Sequence, residues 1–162
     1  MTLLPSMQKS VEAVSAGRRW FLGLPTRIRA GAAETNGTLS FIDQIIPPGF
    51  TSPWHVHHTE DESFFVVEGT MTVLAGEHAV TLKAGDFAFG PRGVPHGFRI
   101  EGSKSARVLL ITNGGNFGAF IHENSSPADS ETPPEPNPAD LPKLAASAER
   151  HGITILGPMP GG

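Results

Sequence analysis

The stretch Gly49-Phe50-Thr51-Ser52-Pro53-Trp54-His55-Val56-His57-His58-Thr59-Glu60-Asp61-Glu62-Ser63-Phe64-Phe65-Val66-Val67-Glu68-Gly69 decides how the rest of the chain is read. His55 and His57 are separated by a single residue. On a β-strand that period puts both imidazoles on one face, where they can converge on one ion. Two exposed strand histidines have the same spacing, so the pair leaves both readings open. His58 falls on the opposite face, where solvent or a supporting hydrogen bond is its expected company. The acids Glu60, Asp61 and Glu62 open the next strand, and all three are candidate carboxylates. From Glu62 the alternation continues through Phe64 and Val66, so an inward Glu62 heads an apolar inner wall. Imidazole plus carboxylate suits one divalent transition metal ion: Fe, Mn, Ni, Co, Cu or Zn.

A fourth ligand is expected on a neighbouring strand, and Gly85-Asp86-Phe87-Ala88-Phe89-Gly90-Pro91-Arg92-Gly93-Val94-Pro95-His96 supplies one. Pro91 and Gly93 reverse the chain, so His96 opens a strand whose next residues on the same side are Phe98 and Ile100. The histidines at 78, 122 and 151 have no partner pattern and are expected at the surface.

These two runs resemble the paired signature of the cupin superfamily, G(x)5HxH(x)4E(x)6G followed by G(x)5PxG(x)2H. Gly49, His55, His57, Glu62 and Gly69 fit the first run, and Gly85, Pro91, Gly93 and His96 fit the second. The 15 residues between Gly69 and Gly85 are a short spacer, typical of single-domain members. Where the family pattern usually closes with Asn, this chain has Ile100. The resemblance implies an all-β, double-stranded β-helix (jelly-roll) barrel. It also implies metal ligation by His55, His57, Glu62 and His96, and only its spacing favours Glu62 over Glu60 and Asp61.

Composition agrees with such a barrel. The chain has 162 residues, 38% hydrophobic and 17% charged, with 19 Gly and 15 Pro, which is globular and rich in turn formers. A net charge of −4 lacks the basic footprint of a nucleic-acid binder. Without cysteine, disulfides and thiolate metal sites are excluded. Arg18-Arg19 is followed by no apolar segment of an export signal, and no run approaches a membrane span of about 18 residues. A soluble, cytoplasmic protein is expected.

Short apolar-rich runs predict strands over 21–24, 27–30, 39–46, 54–57, 63–68, 70–75, 77–82, 86–89, 97–100 and 106–112, paired antiparallel. The barrel is expected over 20–122, preceded by an arm or short helix in 1–19. Residues 123–162 are read as a linker, with six prolines between Ser125 and Pro142, then a short helix and strand. Asp140 is the candidate N-cap of that helix and Gly152 its stop.

A looser resemblance, carried by Phe21-Leu22-Gly23, Arg29-Ala30, Thr35-Asn36-Gly37, Asn113-Gly114-Gly115-Asn116-Phe117 and Glu149-Arg150-His151-Gly152-Ile153, is to small bacterial cupins grouped with quercetin 2,3-dioxygenase. It implies a substrate pocket above the metal, with Phe41, Phe50, Trp54, Phe64, Phe98, Ile100, Phe117 and Phe120 as candidate lining. The implied activity is a metal-dependent dioxygenase opening a flavonol-like or enolic aromatic small molecule with O2, with Glu62 as the catalytic proton acceptor. A sugar or natural-product isomerase or cyclase, and a non-catalytic binding cupin, are the alternatives on the same fold. A homodimer is expected from the family.

Overall fold

The computed structural model describes residues 16–135 and 140–161, so most of the expected N-terminal arm lies outside the described residues. Among the described residues twelve strands follow one another: β1 (Arg19–Phe21), β2 (Leu24–Ala30), β3 (Ser40–Ile46), β4 (Trp54–His57), β5 (Glu62–Glu68), β6 (Thr70–Ala75), β7 (His78–Lys83), β8 (Phe87–Gly90), β9 (His96–Ile100), β10 (Ala106–Thr112), β11 (Ser125–Pro127) and β12 (Ile153–Gly157). Three helices join them: α1 (Ala32–Thr35), α2 (Asn116–Glu123) and α3 (Leu141–Arg150).

All pairings between these strands are antiparallel, in two sheets ordered β11-β1-β2-β3-β10-β5-β8 and β12-β4-β9-β6-β7. This is the jelly-roll arrangement of an all-β barrel. Strict alternation builds the interior. On β10, Ala106, Val108, Leu110 and Thr112 are buried while the residues between them are half-buried, and β5 does the same with Glu62, Phe64 and Val66. Each large apolar side chain taken from water contributes about 1.5–3 kcal/mol. Phe64, Ile42, Ile46, Met71 and Val66 are at most 1% exposed, so the stabilising centre lies between the sheets.

Two predicted elements are revised. The strand expected over 21–24 is instead the turn between β1 and β2, where Leu22 and Gly23 both take positive φ. Residues 125–127, read as the start of a linker, form β11 and pair with β1. The predicted C-terminal helix and strand are present as α3, with Asp140 at its N-cap, and β12, which pairs with β4.

Helix α2 was not foreseen. Its apolar residues Phe117, Phe120 and Ile121 have helical spacing, but Gly118 interrupts them with a residue of poor helix propensity. The glycine is explained by packing: a Cβ there would lie 2.9 Å from Ser40 Oγ, and Ser40 Oγ accepts the Gly118 N–H. Among the described residues, no helix is long and apolar enough to cross a membrane.

Candidate metal centre

His55 and His57 project from β4, His96 from the facing position on β9, and Glu62 from β5 in the opposite sheet. Their candidate ligand atoms lie within 4.8 Å of one another. Glu62 Oε2 is 2.8 Å from His96 Nε2, 3.2 Å from His57 Nε2 and 3.7 Å from His55 Nε2. His57, Glu62 and His96 are buried to within 2% of full burial, while His55 keeps some exposure.

The hydrogen bonds around the rings establish which nitrogens face inward. His55 Nδ1 lies 2.8 Å from the Pro53 carbonyl and His96 Nδ1 2.9 Å from that of Val94. A carbonyl only accepts, so both Nδ1 atoms carry protons, and in a neutral ring Nε2 then presents a lone pair. Lone pairs and an ionised carboxylate repel unless a cation or protons lie between them. His57 Nε2 is also buried without a hydrogen-bond partner. This donor set therefore fits a divalent ion.

Burial pushes the Glu62 carboxyl up, but the three imidazoles around it outweigh this and hold the group well below the usual carboxylate range. Burial lowers His55. At His96 burial also works downward, and the Glu62 carboxylate more than reverses it, leaving this imidazole raised.

The neighbouring acids are occupied elsewhere. Glu60 is 3% exposed, and its carboxylate accepts the Asn116 and Phe117 N–H groups at the start of α2. Asp61 pairs with Arg92 and accepts from Asn113, which hold its carboxyl well below the usual range. His58 is exposed and meets Thr154 Oγ1 at 2.9 Å. His151, expected as a free surface residue, instead bonds Glu123 at 2.8 Å and lies against the Phe120 ring.

A cavity of about 70 Å3 adjoins the centre, reaching His55 and Glu62. Four of the expected lining residues are on its wall: Phe50, Phe98, Phe117 and Phe120. The other four are not. Trp54 precedes inward His55 by one residue and so faces outward, against Gly97. Phe41 lies between inward Ser40 and Ile42 and takes the outer face of β3. Phe64 and Ile100 are core residues at 1% and 2% exposure, Phe64 packing edge-on to His96 and Phe98.

The rest of the wall includes Phe21, Leu24 and Gln44 near the N-terminal side, Ser52 ahead of β4, Leu110 on β10, and Leu144, Ile153 and Ile155 near the C-terminal end. Alternation carried a signal for Gln44, which shares parity with buried Ile42 and Ile46, and for Ile153 with Ile155.

A two-sheet jelly roll that gathers three histidines and one glutamate at these spacings defines a cupin. Residues 42–112 match the family described as Cupin domain, so the barrel of this chain carries a cupin domain. Among characterised relatives it is similar to the quercetin 2,3-dioxygenase of Bacillus subtilis (strain 168), with 24% identity over 82% of this chain. The chain spans only 39% of that relative's length. Two solved structures share the fold. A predicted oxalate decarboxylase from Thermotoga maritima has a TM-score of 0.56 at 20% identity, covering 65% of this chain and 98% of the other. The polyketide cyclase RemF from Streptomyces resistomycificus has a TM-score of 0.53 at 20% identity, covering 65% and 79%.

Proposed function

We propose that this cupin is a metal-dependent dioxygenase of quercetinase type, acting on a flavonol-like or enolic aromatic small molecule with O2. The observation that carries this reading is the opening of a three-histidine, one-glutamate group onto a cavity walled by Phe50, Phe98, Phe117 and Phe120. Bound by His55, His57, Glu62 and His96, one divalent first-row ion would supply a Lewis acid at which an enolic oxygen and O2 meet.

The chain's own residues supply the rest. The aromatic walls favour a flat ring and exclude water from its reactive face. Glu62, central among the imidazoles, would accept the enol hydroxyl proton. Similarity to the Bacillus subtilis enzyme over most of this chain supports the same reading. A sugar isomerase would need a wall rich in hydroxyls and amides, whereas Gln44 and Ser52 are the neutral polar side chains lining this cavity.

Oxygen-electrode measurements on protein loaded separately with Fe, Mn, Ni, Co, Cu and Zn test the proposal, using a panel of flavonols and enediols. O2 uptake matched to substrate loss is expected with at least one metal and substrate pair. No uptake with any pair overturns it and leaves the isomerase, cyclase and binding alternatives.

A further inference from the structure

Four polar side chains touch the cavity: Gln44, Ser52, His55 and Glu62. The last two belong to the metal centre. Ser52 is committed in both directions, donating to the Pro53 carbonyl and accepting the Phe98 N–H. Gln44 remains. It is 3% exposed and sits between inward Ile42 and Ile46, where a third aliphatic residue would complete an apolar stripe.

Chemistry establishes how its amide is turned. Thr26 is fully buried, and its hydroxyl donates to the Leu24 carbonyl at 3.0 Å. With its one proton spent there, Thr26 Oγ1 can only accept. The Gln44 atom 2.9 Å from it must therefore be the donor Nε2. No hydrogen bond among the described residues takes Oε1, so the fold clamps the amide by its nitrogen and leaves an acceptor.

The register places this acceptor away from the metal centre. Gln44 faces Val108 and then Val66 across the sheet, while Glu62 is level with Thr112 and Ser40. The two levels are four residues apart along β10, about 13 Å at ~3.3 Å per residue. The cavity touches both levels, and at about 70 Å3 it would have to widen to take one molecule that spans them.

We propose that Gln44 is the specificity residue of this cavity, its Oε1 accepting a hydrogen bond from a hydroxyl on the end of the substrate remote from the metal centre. This rests on the flavonol-like reading above and narrows it to molecules that carry a hydroxyl donor at the far end. Thr26 acts as the positioning residue that holds the amide in the required sense.

The test is equilibrium binding without O2 to the metal-loaded protein, with 3-hydroxyflavone and its 4′-hydroxy and 7-hydroxy derivatives as probes. Wild-type protein should bind one hydroxylated derivative about tenfold more tightly than the parent, the value of one added hydrogen bond. Gln44→Met, close in volume, should bring that ratio near one. Thr26→Val should also lower the ratio with Gln44 in place, and reads the same effect if the first variant does not fold. A wild-type ratio near one, or a ratio that survives Gln44→Met or Thr26→Val, overturns the role of Gln44. Failure of all three flavones to bind instead overturns the flavonol-like reading, and this inference with it.

Discussion

Glu60 and Glu62 are buried carboxylates separated by one residue, yet the first accepts two backbone N–H groups of α2 and the second faces three imidazoles. Removing the first strands buried donors, at a cost of about 1–3 kcal/mol. Glu60→Ala should therefore lower the melting temperature while leaving metal content at the wild-type level; loss of metal in this variant would show that Glu60 supports the centre directly. Gly69 carries a different constraint. Its φ is +86°, and an added Cβ would lie 2.8 Å from the Ala106 backbone. Gly69→Ala should destabilise by about 1–3 kcal/mol, seen in denaturant unfolding, and an unchanged midpoint would refute the close approach of β5 and β10 at this turn.

Among the elements, α3 and β12 cover one side of the cavity, and the end of α3 is tied to α2 by Glu123, which bonds His151 and Arg150. Hydrogen bonding to His151, aided by Arg150, lowers the Glu123 carboxyl from 4.5 to about 2. Its folded pKa is thus below its unfolded one, so the tie is complete above about 4.5 and is lost as pH falls through about 2. The groups are exposed, so salt should weaken the tie as well. Amide exchange should show α3 losing protection on acidification through this window, ahead of β5 and β10. Protection of α3 that holds down to pH 2 would contradict the tie.

The strands were legible because each is a local pattern of alternation between turn residues, and the four site residues because two spaced runs, Gly49 to Gly69 and Gly85 to His96, carry them. Helix α2 was not, since Gly118 answers a contact with Ser40 that no local window contains. Phe41 and Trp54 were misplaced by residue type. On β3 both faces mix apolar with polar residues, Ile42 and Gln44 against Phe41 and Asp43, so hydropathy alone did not choose the inward side.

At the scale of the molecule, the cavity wall joins Phe21 near one end of the described residues to Ile155 near the other, and such closure is invisible to any local window of sequence. The outside carries its own signal. Phe87 and Phe89 are 57% and 61% exposed on β8, an edge strand paired on one side by β5. A second copy of the chain is the expected cover for this edge. Light scattering should then give twice the 17.1 kDa chain mass, falling to one chain mass in a Phe87→Ser, Phe89→Ser double variant. A monomeric wild type would contradict that expectation.

Metal analysis after loading with a single first-row ion decides whether His55, His57, Glu62 and His96 hold one ion at the end of an apolar cavity. Wild-type protein and Glu60→Ala should hold about one ion per chain, and His57→Ala and Glu62→Ala far less. Wild-type occupancy in both of those last variants would contradict it.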